Sequence, residues 1–278
     1  MLSVFADDSS DETQQRTVAV AGIIASDEEW SRLDRTWLER TGGIAFHATD
    51  CESDRGAYAG YSHLDNQNLY KDLATVLARS DSWGWGAALD LASYREFFVV
   101  DQETCYYKAF LAVIDFFATF VRDRFQEKVK FTFDRRIQGS HNAAELYGLM
   151  SNDPNNAFFS NPLEFASSTE QPRIQMADLW AREVMKELDN RIGPRKRPRR
   201  KSFIALNDSG HFGCDVFFRE YFQDMQNKLG EVGRKDPTFN REAYAEWLSR
   251  RKQQDTNANR IRFLLWFSQR ENQKGFES

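Results

Sequence analysis

A chain of 278 residues is long enough for one large domain or a domain with an appendage. Its apolar share of 41% and charged share of 28% are those of an ordinary folded protein. Its net charge of −5 excludes a general basic coat for nucleic acid, so any such contact must be local. The three cysteines, Cys51, Cys105 and Cys214, form no CxxC pair and no zinc cluster, and scattered thiols suit a reducing cytoplasm. Asp7 and Asp8 stand where a signal peptide needs an apolar stretch. The longest apolar run, 109–121, contains Asp115 and is far shorter than a membrane span. The sequence therefore predicts a cytoplasmic protein with no membrane segment.

Leu2 to Ala6 reads as a short strand running into a turn at Asp7-Asp8-Ser9-Ser10. The β-branched stretch Thr17 to Ile24 reads as its hairpin partner. Ser26 has the character of an N-cap, with Glu29 at the capping-box position. The helix it starts runs to about Arg40 and ends at Gly42-Gly43. Phe46 to Asp50 reads as a loop or a short edge. Leu69, Leu73, Val76 and Leu77 have helical spacing over 67–79, and Trp83 to Leu91 reads as a strand. The strongest helical signal is 103–125. Its stripe of Phe110, Val113, Ile114, Phe117, Phe120 and Val121 is widened nearly all round by Leu111 and Phe116, the pattern of a helix buried on most sides.

Val129 to Phe133 predicts a strand ending at Asp134, then a polar turn and a helix to Met150. A weak strand at Pro162 to Ala166 and a helix over Ile174 to Leu188 follow. The basic, proline-broken segment Arg191 to Lys201 cannot be helical throughout, and 214–272 reads as aromatic-rich helices. Together these predict an α/β protein with a mixed sheet flanked by helices, helical insertions and a helical C-terminal extension. The expected division is a core domain at 1–190, a basic loop at 191–213, and an extension at 214–278 packed on the core. Tyr221, Phe222, Trp247, Phe263 and Trp266 recur at helix-like spacing there, for packing or for contact with a second copy or a partner protein.

Asp178 is the anomalous residue. It falls inside the apolar stripe of Ile174, Ala177, Ala181, Val184, Met185 and Leu188. A carboxylate removed from water costs several kcal/mol unless paired or bound to metal, so Asp178 needs a partner: a cation, backbone amides or a metal ion. Asp134 ends an alternating strand, where open α/β sheets place their sites, though a turn-forming aspartate is the plain alternative. Asp7 has the same two readings, and Asp8 and Ser9 continue its turn. Carboxylates gathered from separate elements suit Mg²⁺ or Mn²⁺, one or two ions completed by waters and substrate phosphates.

At these residues the chain resembles the domain-of-unknown-function 3800 family of bacterial and mobile-element proteins. That family opens with a strand and Asp-Glu-Ser-Gly, matched by Phe5-Ala6-Asp7-Asp8-Ser9-Ser10. A middle strand ending in aspartate is matched by Phe131-Thr132-Phe133-Asp134. A late helix with Gln-x-Ala-Asp-Leu is matched by Gln175-Met176-Ala177-Asp178-Leu179. A serine before that helix corresponds to Ser167 or Ser168, and a histidine after the first helix to His47. The resemblance spans 1–190 and implies a ribonuclease-H-like fold with a metal-binding acidic cluster: Asp7, Asp134 and Asp178, with Asp8 as a fourth. Asp8 departs from the family's Glu, and Ser10 from its Gly.

Around that cluster, Gln175 is a candidate for orienting Asp178, and His47 and His141 are candidates for moving a proton. Arg135 and Arg136 follow Asp134, where they would either hold phosphates or neutralise the aspartates. Arg191 to Lys201 carries seven basic residues. Of these, Arg195, Lys196, Arg197, Arg199, Arg200 and Lys201 are candidates for a DNA or RNA backbone, with a solvated loop as the alternative. Trp83 and Trp85 read as core packing, with a base-stacking surface as the alternative. The functional expectation is a metal-dependent nuclease, in phage defence or mobile-element biology by resemblance. The alternatives are a non-catalytic nucleic-acid-binding or assembly module, and a small-molecule phosphohydrolase using Asp7 as nucleophile. The last would want a second aspartate where Ser9 stands.

Overall fold

Alternation of side chains along the strands sets the two faces of the central sheet. The computed structural model describes residues 1–97, 102–125, 127–135, 140–151, 159–160 and 162–229. Six strands, β1 Leu2–Ser10, β2 Thr17–Ser26, β3 Trp83–Asp90, β4 Val129–Asp134, β5 Glu164–Ala166 and β6 Phe212–Phe217, lie in the order β5-β4-β1-β2-β3-β6. β1, β2 and β3 form an antiparallel meander. β4 and β5 add in parallel beside β1, and β6 adds in parallel beside β3. The helices are α1 Asp27–Thr41, α2 Ala48–Glu52, α3 His63–Ala78, α4 Leu91–Phe97, α5 Gln102–Arg124, α6 Ser140–Ser151, α7 Pro172–Ile192, α8 Lys201–Asp208 and α9 Arg219–Leu229. The chain is thus α/β, with a mixed sheet flanked by helices, as its alternating patterns predict. Among the described residues no helix is long and apolar enough to cross a membrane.

Val4 and Ala6 of β1 and Phe131 and Phe133 of β4 bury against α5 in one core. Phe5 of β1 and Ala19, Ala21 and Ile23 of β2 point the other way, into a second core with α1 and α7. Trp30, Trp37 and Trp180 are fully buried in that second core. Each large apolar side chain so buried contributes about 1.5–3 kcal/mol. α7 lies across β1, β2 and β3 and is buried from Ile174 to Met185.

Local signals explain the helix ends. Ser26 caps α1 by accepting the Glu29 N–H at 3.2 Å. The reciprocal half of the capping box does not form, because the Glu29 carboxylate binds Arg32 and the Asp81 N–H instead. Gly42, at φ 63°, ends the helix in the left-handed conformation.

Four expectations need correction. β1 does not turn at Asp7 but runs on to Ser10, so Asp7 and Asp8 are strand residues facing Ala21 and Val20. The turn lies at 11–16, where the Asp11 carboxylate accepts the N–H groups of Arg16 and Thr17 and the Thr13 hydroxyl. Partial burial raises the Asp11 carboxyl, but these donors outweigh it and bring it to about 2. Second, the segment read as a loop at Phe46 to Asp50 enters a short helix, α2. Third, Leu91–Phe97 forms α4, which sequence reading passed over. Fourth, the helical reading of 214–272 fails at its start, where β6 completes the sheet beyond residue 190. Trp247, Phe263 and Trp266, and with them the expected copy or partner contact, lie outside the described residues.

β6 is held by reciprocal glycine–aromatic packing. Gly84 pairs with Phe212 and Trp85 with Gly213. A Cβ on Gly84 would sit 2.2 Å from the Phe212 ring, and one on Gly213 2.6 Å from the Trp85 ring. Gly84→Ala should therefore destabilise the fold by about 1–3 kcal/mol through overpacking. A urea midpoint equal to that of the parent chain would show that Phe212 simply moves aside. The other face of Trp85 stacks on Phe116 at 4.0 Å, and Trp83 lies against Phe120, so both tryptophans serve packing.

Candidate carboxylate site

Register and alternation bring Asp7 and Asp134 together. Phe5 faces α7, so Asp7, two residues on, faces it too. Phe131 and Phe133 face α5, so Asp134 takes the α7 side. β1 and β4 are parallel neighbours with Ala6 beside Phe133, which places Asp7 and Asp134 one step further along adjacent strands, about 4.8 Å apart in the pairing direction. Asp178, 4% exposed, comes down from α7 onto the same face. By the same alternation Asp8 projects toward α5. Its backbone N–H donates to Asp7 Oδ1 at 2.6 Å, while its charge acts on Asp7 ahead of that of Asp134.

The backbone also holds the other two. The Ala48 N–H donates to Asp178 Oδ2 at 2.7 Å, and the Ser168 N–H to Asp134 Oδ1 at 3.1 Å. Gln175 fixes both donating segments. Its Oε1 accepts from the Phe46 N–H and from Trp37 Nε1, each at 3.0 Å, and its Nε2 donates to the Ser168 carbonyl at 2.7 Å. The sequence left Gln175 as a candidate for orienting Asp178 or a metal-bound water, or for a solvent-facing or helix-end role. It instead ties down the two segments whose amides hold Asp178 and Asp134.

The electrostatics report the convergence. Burial, then the charges of Asp178, Asp8 and Asp134, push the Asp7 carboxyl well above its ordinary range, and the Asp8 N–H does not offset them. Burial raises Asp178 to about 6, with Asp134 adding to it against His47, the Ala48 N–H and Arg182. Asp134 is raised by burial despite the Ser168 and Arg135 amides and His47. Among the described residues no lysine or arginine forms an ion pair with Asp7, Asp134 or Asp178. Arg135, expected either to hold phosphates or to neutralise the aspartates, points its guanidinium at the Phe165 carbonyl, 3.5 Å away, and its charge still lowers Asp134 without an ion pair. Arg136 lies outside the described residues, as does the side chain of His141 in the first turn of α6. His47 is brought to the site. It precedes α2, its ring is half-exposed at 3.2 Å from Asp50, and its charge acts on both Asp178 and Asp134.

Among the described residues no three His, Cys, Asp or Glu side chains form a ready-made ligand cage. A magnesium site does not require one, since that ion keeps several waters and uses one or two carboxylates with substrate phosphates.

The basic segment divides. Arg200 pairs with Glu52 at 2.6 Å and with Glu183 at 3.1 Å, and Arg199 pairs with Glu187 at 2.9 Å. Glu183 and Glu187 are almost completely buried, so these arginines neutralise acids that would otherwise be costly. Arg200 is thereby drawn largely into the fold, whereas Arg199 makes its pair from an exposed position. Arg195, Lys196, Arg197 and Lys201 are exposed. Sequence reading missed Glu183, Glu187 and the Glu52–Arg182 pair at 2.8 Å. Their signal was the acidic content of one helix followed directly by a basic run. No family model matches the chain, and no curated protein does either.

Proposed function

We propose that the protein is a metal-dependent nuclease with a ribonuclease-H-like fold, hydrolysing phosphodiester bonds of DNA or RNA at Asp7, Asp134 and Asp178 with Mg²⁺ or Mn²⁺. The observation that carries this reading is the meeting of three carboxylates on one sheet face, each tied by a backbone N–H and none paired with a cationic side chain among the described residues. Such a set favours binding a cation of high charge density, and its hard oxygen donors suit those two metals. The antiparallel meander β1-β2-β3, extended beside β1 by the parallel strands β4 and β5, supports the fold reading, with β6 as an addition at the other edge. A bound divalent ion would polarise the phosphodiester and lower the pKa of an attacking water. The protein supplies the rest. Asp7 and Asp134 bind from adjacent strands, Asp178 binds from α7, and the amides of Asp8, Ala48 and Ser168 hold their orientation. His47, half-exposed at the rim, exchanges protons with solvent. A role in phage defence or mobile-element biology rests on the family resemblance alone.

The test is cleavage of labelled single- and double-stranded DNA and RNA in Mg²⁺, Mn²⁺ or EDTA. Cleavage should need the metal and fall on the order of a hundredfold or more in Asp134→Asn and Asp178→Asn. Cleavage that survives EDTA, or survives in both variants, sinks the proposal. Binding without cleavage under every condition favours the non-catalytic reading. Hydrolysis of small phosphate esters alone favours the phosphohydrolase.

A further inference from the structure

A cavity of about 620 Å³ lies between α3, the end of α7 and the segment leading into α8, well inside the usual range of small-molecule sites. Lys186 and Asp178 are eight residues apart on α7, about 12 Å along the helix, so the cavity is separate from the carboxylates. Its wall carries Lys71, Lys186, Arg197, Arg199, Arg200 and Lys201 against one carboxylate, Glu52. Arg199 and Arg200 are compensated from behind by Glu187 and Glu183. The others are not. Among the described residues no carboxylate pairs with Lys71, Arg197 or Lys201, and the nearest to Lys186 is Asp189 at 3.7 Å. Burial, followed by the charge of Arg182, depresses the Lys186 ammonium. Cations converging from three elements on a partly enclosed space repel one another, and an anion among them relieves that repulsion.

The rest of the wall narrows the anion. Tyr70, Pro198 and the aliphatic stems of the lysines and arginines give an apolar surface. Gln67 and Asn190 already use their amide nitrogens, on His63 and on the Pro198 carbonyl, and keep their amide oxygens to accept from the amino edge of a nucleobase. The first turn of α8, which has no side-chain cap, lies at the same wall through Lys201 and Ser202, and its free amides favour negative charge. We infer that this cavity binds a nucleoside monophosphate unit, free or at the end of a strand, with the phosphate held by Lys71, Lys186, Arg197 and Lys201. The inference concerns binding alone and does not depend on the reaction at the aspartates.

Calorimetric titration of the full chain in EDTA at low salt, with AMP, UMP, adenosine, uridine and inorganic phosphate, tests it. At least one monophosphate should bind about tenfold or more tighter than its nucleoside and than inorganic phosphate. Lys71→Ala combined with Lys201→Ala should weaken it by about tenfold. Both residues are exposed, so the buried ion pairs stay intact, and a melting curve checks folding. A tetranucleotide with and without a 5′-phosphate separates the two sources: preference for the phosphorylated end marks a strand terminus, and indifference marks a free nucleotide. Asp178→Asn should leave all these affinities unchanged, which keeps a failure here distinct from a failure of the nuclease reading. No monophosphate binding, equal binding of nucleosides, or affinity unaffected by the double substitution overturns the inference.

Discussion

In EDTA at pH 7, Asp178→Asn is expected to be more stable than the parent chain. The Asp178 carboxyl is raised by burial, with help from Asp134, to about 6, whereas an unfolded aspartate titrates near 3.9. The folded state therefore holds this proton more tightly than the unfolded one. The carboxyl carries no penalty below about pH 4. As pH rises through 4 to 6 the folded state loses stability, because an unfavourable charge must form in it. The full difference is at most about 3 kcal/mol. Asparagine removes the charge but offers the Ala48 N–H a weaker acceptor, so a net gain of about 1–2 kcal/mol is expected, or about 2–4 °C in Tm per kcal/mol. At pH 4 the two proteins should melt together. Adding Mn²⁺ should reverse the order, since binding at a hundredfold excess over Kd stabilises the parent by about 2.7 kcal/mol. A variant less stable than the parent at pH 7 in EDTA would mean that Asp178 is already compensated and needs no metal.

Gln175→Leu is expected to damage the site more than its distance from the reacting groups suggests. The substitution leaves the buried Phe46 N–H and Trp37 Nε1 without their acceptor, each costing about 1–3 kcal/mol. It also frees the Ser168 carbonyl. The Ala48 and Ser168 amides then lose their fixed positions, and Asp178 and Asp134 lose their orientation. Manganese affinity should drop by about 10–100-fold, the usual effect of removing a group that orients metal ligands. Gln175→Glu keeps both acceptor bonds but exchanges the donor to Ser168 for a buried carboxyl that must carry a charge or take up a proton. A melting curve reports that cost, and where the variant is folded its metal affinity should still fall. Unchanged affinity in both variants, with folding intact, would reduce Gln175 to a packing residue.

Much of this protein is legible locally. Strand alternation in 2–6 and 129–133, the nearly all-apolar helix at 103–125 and the cap at Ser26 are determined by neighbouring residues, and the corresponding elements appear where the pattern puts them. Asp178 stands out for the same reason: a charge inside an apolar helical stripe is anomalous before any fold is known. What escapes local reading is decided by distant partners. Phe212–Phe217 contains Gly213 and Asp215 and has no strand pattern of its own; it becomes a strand because Gly84 leaves room for Phe212, and Gly213 for Trp85, where it pairs with β3.

The basic run looks free until α7 places Glu183 and Glu187 against it. The length of β1 decides that Asp7 and Asp8 are consecutive strand residues on opposite faces. The sequence by itself determined most of the long elements, the two apolar faces and the one misplaced carboxylate. Only the tertiary structure decided which charges meet. Propensity and periodicity act over a turn or a strand, whereas the meeting of Asp7, Asp134 and Asp178, and the tying of Phe46 and Trp37 to Gln175, depend on contacts between segments far apart in the chain.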